Sequence, residues 1–150
     1  VLEVANVRLN KLTQGRYQFL LSDEKGSYKK STGLEINIYD DHAGTSRRAH
    51  TLSGGESFIA ALALALSLGD VIQSHAGGVL IETLFIDEGF GSLDEEALEM
   101  AIEALEMVED EGRMIGIISH VQELKNRITQ QMIVKTDGSG QSYITNRVVD

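Results

Sequence analysis

Cysteine is absent from the 150 residues, which excludes a disulfide framework, a Cys-ligated zinc site and a cysteine nucleophile. Proline is absent as well, although turns and loops ordinarily draw on it. No apolar run approaches the ~20 residues that span a bilayer, so no membrane partner is expected. The first residues lack the form of a secretory leader, and the opening Val1 in place of Met is expected for a segment of a longer polypeptide. The expected setting is the cytoplasm. Basic residues are missing from one long stretch: residues 51–112 contain neither Lys nor Arg, while five acids fall in 51–93 and nine in 94–112. The flanks, 1–50 and 113–150, each carry a net charge of +2, so the overall -10 resides in the middle of the chain. A partner of either sign can still meet the flanks. What is present, 42% hydrophobic and 24% charged residues, is an ordinary globular balance for one domain with its own core.

Residues 1–12 read as the end of a helix with no capping residue before it, stopped by Gly15. Tyr17–Leu21 reads as a strand, 22–33 as a polar hairpin loop, and Leu34–Tyr39 as a half-buried strand alternating around Ile36 and Ile38. Asp40–His50 is a polar connector. A long helix from Ser53 to about Gln73 follows, apolar nearly all round and therefore expected to be deeply buried. Thr83–Asp87 has the profile of a central parallel strand. Glu95–Asp110 is an amphipathic helix with Leu98, Ala101, Ile102, Leu105 and Val108 on its inner stripe and Gly112 at its end. Met114–Ile118 is a second buried strand, 121–128 a short helix, and 132–134 and 143–148 closing strands around Asp137-Gly138-Ser139-Gly140. Antiparallel strands followed by strand–helix alternation predict an α/β unit with a mixed, mostly parallel sheet and flanking helices.

Four segments carry chemistry. Leu52-Ser53-Gly54-Gly55-Glu56 has the spacing of a capping box, Ser53 as N-cap and Glu56 three residues on. Glycines at the first helical positions cost up to about 1 kcal/mol each relative to Ala, and backbone without side chains also lets a helix end approach an anion. Cap and phosphate site are both open on these residues alone. Leu84-Phe85-Ile86-Asp87-Glu88 ends a parallel strand in two acids, where open α/β sheets place ligands. An Asp there can hold Mg2+ through water, and a neighbouring Glu can accept a proton from an attacking water; a capping or salt-bridging pair is the plainer alternative. In Gly91-Ser92-Leu93-Asp94, Asp94 is placed to cap the acidic helix. In Ile118-Ser119-His120, the His stands at the edge of the neighbouring strand, either as a structural histidine or as a donor to a phosphoryl oxygen.

Taken in order, "LSGGES", "LFIDEGFGSLD" and "ISH" resemble the signature motif, Walker B, D-loop and switch histidine in the second half of an ABC-type ATPase head, a P-loop NTPase fold. More narrowly, the run is similar to that of SbcC-type exonuclease ATPase subunits, relatives of the SMC and Rad fifty proteins. "DEGFGSLD" replaces the Pro-containing wording common in transporter ATPases, and the match covers about residues 47–136. The resemblance implies that Asp87 is the Mg2+-associated acid, Glu88 the base that orients the lytic water, and His120 a sensor of the γ-phosphate. It implies Asp94 at a dimer seam, Ser53, Gly54 and Gly55 acting in trans on ATP held by a second head, and Glu56 beside them as a nucleotide-binding residue. The implied partners are an SbcD-like nuclease subunit, double-stranded DNA, a homodimeric second head, and an N-terminal lobe of the same protein.

The sequence departs from the family in one respect: no G-x-x-x-x-G-K-[ST] phosphate loop occurs, nor any Gly-Lys dipeptide, and the resemblance implies that this loop lies in the N-terminal lobe. The chain is thus expected to be the C-terminal lobe (15–150), with 1–14 as the root of a returning coiled-coil helix, and to hydrolyse almost no ATP alone. Two other classes remain open. An SMC-like or recombination ATPase without a nuclease shares nearly every motif; a transporter ATPase subunit is disfavoured by the helical root. Lys25, Lys29 and Lys30 in the polar loop read as a solvated loop before they read as a DNA contact. Arg47 and Arg48 either meet DNA phosphates or relay nucleotide state into the helix that begins at Ser53.

Overall fold

The computed structural model describes residues 1–21, 36–75 and 81–148. The polar hairpin loop expected over 22–33, with its three lysines, and the first residues of the strand expected from Leu34 lie outside the described residues.

Helix α1 (Leu2–Leu12) buries Ala5 and Leu9, four residues apart and so on one face. Its end is made by two residues of positive φ, Gln14 (51°) and Gly15 (87°), with the Gly15 N–H donating to the Asn10 carbonyl at 2.8 Å. The chain then turns into β1 (Tyr17–Leu21), which pairs antiparallel with β2 (Ile36–Asp40), Tyr17 opposite Asp40. A third strand, β3 (Thr45–Arg48), pairs antiparallel with β2 inside what the sequence predicts as an irregular connector. Its residues, Thr-Ser-Arg-Arg, offer no apolar alternation. It is an edge strand, and edge strands need none.

A short 3-10 turn (Ala49–Thr51) leads into α2 (Gly54–His75). Among the described residues α2 is the one helix long and apolar enough to cross a bilayer by length and composition, which run length did not suggest. Its stripe of Ile59, Leu62, Ala63, Leu66 and Ser67 is buried, packed against α1 and the later helix α3 (Glu95–Asp110). The all-round burial expected of it is corrected: Leu68 and Ile72 are about half exposed, because α1 and α3 cover only part of its circumference.

The parallel pair is β4 (Thr83–Asp87) and β5 (Met114–Ile118), with Asp87 opposite Ile118, and α3 (Glu95–Asp110) between them in sequence. All five residues of the predicted α3 stripe are buried. Gly112 follows the helix at φ 87°, its N–H donating to the Glu109 carbonyl. The two strands are not buried on both faces as expected. Phe85 is 71% exposed, Met114 63% and Ile118 57%. Phe85 lies across Gly116, its register partner, where any Cβ would collide with the ring. After α4 (Gln122–Arg127), β6 (Gln130–Thr136) and β7 (Ser142–Val148) form an antiparallel hairpin. Its turn is tied by the Asp137 carboxylate, which accepts from the backbone of Ser139 and Gln141 and from the Ser139 hydroxyl. The class is α/β with a parallel pair and flanking helices. The strands of the described residues form three separate sheets, two of them antiparallel, rather than one continuous sheet.

Charge also joins the helices. Arg8 of α1 bonds Asp70 of α2 at 2.8 Å and Glu111, just past α3, at 2.7 Å, and Arg113, just before β5, bonds Asp70 as well. Burial works against the charged Glu111 carboxylate, but its bonds to Lys11 and Arg8 outweigh that and hold its pKa below the usual range.

Candidate functional site

The start of α2 forms the reciprocal cap that its spacing predicts. Ser53 Oγ accepts the Glu56 N–H at 3.3 Å, and Glu56 Oε2 accepts the Ser53 N–H at 2.9 Å. The two glycines divide. Ser53 and Gly54 are exposed, whereas Gly55 is buried against α3: a Cβ there would stand 2.7 Å from Ala97 Cβ and 2.9 Å from Ala97 Cα. Gly55 therefore has a packing reason, the close approach of two helix starts, and of the glycine pair only Gly54 lies open at the surface. A Cβ on Gly54 would meet Leu93 Cδ2 at 3.1 Å, the tip of a flexible side chain. Gly55→Ala is accordingly expected to destabilise the fold by about 1–3 kcal/mol through overpacking against backbone, and Gly54→Ala by less than about 1 kcal/mol. Denaturant midpoints at unchanged slope measure the difference.

The acidic pair lies at the C-terminal end of β4. The ladder runs one residue further, the Glu88 N–H donating to the Ile118 carbonyl at 2.9 Å. Glu88 itself has φ 58°, a left-handed conformation that costs a non-glycine residue about 1 kcal/mol or more, and Gly89 continues at 97°. This turn delivers the Glu88 carboxylate to His120, which stands two residues past β5: His120 Nδ1 lies 3.1 Å from Glu88 Oε2. Both side chains remain open, 54% for Glu88 and 75% for His120, as is Asp87. Acid and histidine thus meet across adjacent parallel strand ends, at the edge where α/β sheets take ligands.

Between these two features runs the loop Gly91-Ser92-Leu93. Gly91 passes beside the His120 ring, with 3.5 Å between Cε1 and the place of a Cβ, while Ser92 and Leu93 pass beside Gly54. Asp94 closes the loop by capping α3, its Oδ1 accepting the Ala97 N–H at 2.8 Å. Glu88 and His120 are therefore in direct contact, and among the described residues Ser53 bonds only within its own helix start. The loop ending at Asp94 connects the two. Among the described residues no three His, Asp or Glu side chains gather to hold a metal. A single open carboxylate such as Asp87 suits Mg2+, which keeps several waters and takes one or two carboxylates beside phosphate oxygens.

Sequence reasoning missed a partly buried polar cluster behind the cap, built on the buried Tyr17 and Asp40. Glu56 Oε1 accepts the Tyr17 hydroxyl, and Glu56 Oε2 also lies 3.3 Å from Arg47 Nη2. Arg47 Nη2 donates to the Tyr17 oxygen at 3.2 Å and stands 3.5 Å from Asp40, whose carboxylate also takes Arg16 at 3.3 Å. Both guanidinium groups lie over the Tyr17 ring, at 4.7 Å for Arg16 and 5.8 Å for Arg47. Burial and the bond to Glu56 push the Tyr17 phenol well above its ordinary pKa, so it stays a donor. Burial opposes charge on Glu56, yet Tyr17, Ser53 and Arg47 together hold its carboxyl below the usual range. Arg47, a candidate DNA contact by sequence, spends its guanidinium on this cluster. Only its position five residues before Leu52 hinted at that.

The fold is that of SMC ATPase head domains. Over the whole of this chain and 47% of the other, the SMC head domain from Thermotoga maritima superposes with a TM-score of 0.64 at 21% identity. Within that fold, the family model described as SbcC/RAD50-like, Walker B motif matches residues 26–107, and the chain belongs to that family. It is 51% identical over 145 residues to the SbcC subunit of nuclease SbcCD from Lactococcus lactis subsp. lactis (strain IL1403), covering 96% of this chain and 14% of that protein. The protein of the same name from Treponema pallidum (strain Nichols) is 46% identical over 136 residues, 91% of this chain and 13% of that one. The chain thus spans about one-seventh of the length of these relatives.

Proposed function

We propose that this chain is the C-terminal lobe of an ATP-hydrolysing head in an SbcC-type subunit, which works in the cytoplasm with an SbcD-like nuclease subunit on double-stranded DNA. The observation that carries the reading is the contact of Glu88 with His120 across the ends of β4 and β5, beside a loop that reaches the start of α2. Glu88 accepts the proton of the attacking water. Its bond to His120 and its turned backbone fix the carboxylate at the strand end, so little reorganisation is left for the reaction. His120 donates to a γ-phosphoryl oxygen. Asp87 holds Mg2+ through water, which when bound would neutralise phosphate charge.

Ser53 and Gly54, open at the start of α2, act in trans on the nucleotide of a second head. Gly55 lets α2 lie close to α3, and Glu56 holds Ser53. Asp94 sits at the seam, ending the loop that joins the two half-sites. Closure of two heads then assembles the electrostatic stabilisation from both protomers, and hydrolysis follows closure.

The exposed apolar faces support a further lobe as the partner. Phe85, Met114 and Ile118 on one face of the parallel pair, and Met132, Val134, Ile144 and Val148 on one face of the closing hairpin, lie in the open, and apolar side chains grouped on an exposed face mark interaction surfaces. An N-terminal lobe carrying the phosphate loop would cover them, with α1 as the root of the returning coiled-coil helix. Identities of 46–51% with proteins named for a nuclease favour this reading over a transporter ATPase or an SMC-like ATPase without a nuclease. The chain alone is expected to hydrolyse almost no ATP, and phosphate release is expected to appear when the N-terminal lobe is supplied. Vigorous, Glu88-dependent release by the chain alone would overturn the proposal.

A further inference from the structure

The reciprocal Ser–Glu cap of a helix needs only its two members. At the start of α2 the Glu56 carboxylate has three further partners from the antiparallel sheet and the turn before it. One oxygen, Oε2, takes the Ser53 N–H and Arg47; the other takes the Tyr17 hydroxyl and lies 3.5 Å from Arg16. Arg47 also reaches around the cap. Its Nη1 donates to the Thr51 carbonyl at 3.2 Å, two residues before Ser53, while its Nη2 meets Glu56, three residues after. A single guanidinium therefore spans the segment that presents Ser53. It is itself held by Asp40, which is 4% exposed, and by Tyr17, buried in β1. A capping carboxylate on an open surface samples several rotamers; one clamped on both oxygens keeps a single one, and with it a fixed Ser53 backbone.

We propose that Tyr17 and Arg47 are positioning residues: by locking Glu56 and the Thr51 carbonyl they set the geometry in which Ser53 is offered to the nucleotide of the opposite head. The inference rests on the proposed trans role of Ser53. It also gives the antiparallel sheet a task, since β1 and β3 then steer a site to which they contribute no reacting group.

The test uses the full-length protein with Tyr17→Phe, Arg47→Ala and Arg47→Lys, and Ser53→Arg as reference. Tyr17→Phe keeps the ring under both guanidinium groups and removes only the hydroxyl, so it decides the matter even if Arg47→Ala fails to fold. The readouts are ATP affinity of the chain's own site, the thermal midpoint, and the dissociation constant of the ATP-dependent head dimer. Own-site affinity should stay within about twofold. The dimer constant should rise about tenfold for Tyr17→Phe and more for Arg47→Ala, as for losing hydrogen bonds to a charged group. Arg47→Lys should recover part of the loss, because one ammonium cannot reach both Thr51 and Glu56 in the fork geometry of a guanidinium. If Ser53→Arg blocks dimerisation while Tyr17→Phe and Arg47→Ala dimerise as the unmodified protein does, the positioning role is overturned and the trans reading stands. If Ser53→Arg also dimerises normally, the trans reading itself fails. Loss of own-site affinity in proportion to a lowered midpoint would reveal a merely structural role and overturn the proposal too.

Discussion

Glu88→Gln in the full-length protein is expected to lower ATP turnover by about 10²–10⁴-fold, the range of a general base, while ATP binding persists and an ATP-bound dimer accumulates. The substitution keeps the size of the side chain, and an amide oxygen can still accept from His120. On the proposed role of Glu88, it removes the one feature the reaction needs, a carboxylate able to take a proton. The strain at φ 58° is the same in both, as neither Glu nor Gln is favoured there, so stability should barely change. Phosphate release and size-exclusion chromatography with ATP read the two halves of the expectation. Turnover at the unmodified rate would remove Glu88 from the role of base.

Ser53→Arg is expected to abolish the ATP-dependent dimer, raising its dissociation constant by about 10²-fold or more, as for a bulky side chain in the centre of an interface. Ser53 is exposed, so the new side chain projects outward, into the space that the proposed closure gives to a second head. The loss of the cap alone costs about 1 kcal/mol, and Ser53→Ala measures that part separately. ATP affinity of the same chain's own site should survive, because among the described residues Ser53 bonds Glu56 and not Glu88 or His120. Normal dimerisation of Ser53→Arg would refute the trans role.

Much of this geometry is legible in sequence because it depends on local period. Strands β4 and β5 and helix α3 fall where alternation, apolar stretch and cap residues put them, and the Ser53–Glu56 box is a spacing of three. Strand β3 is not legible: Thr45–Arg48 has no apolar face, and its pairing is specified only by β2 beside it. Nor is the division of the glycines, since Gly55 is required by Ala97, 42 residues away in sequence. The Tyr17–Arg47–Glu56 cluster joins three elements by side-chain chemistry alone. The apolar strands suggest two buried faces, whereas Phe85 is open; an apolar pattern marks a face suited to burial and does not say what this chain lays against it.

A structure of the complete Glu88→Gln protein with Mg-ATP tests the central claim most directly. The account predicts two heads with Ser53 and Gly54 of one protomer within hydrogen-bond distance of a γ-phosphate whose other side faces Asp87, position 88 and His120 of its partner. A nucleotide with Ser53 of neither protomer against its γ-phosphate, or His120 turned away from it, would contradict the account.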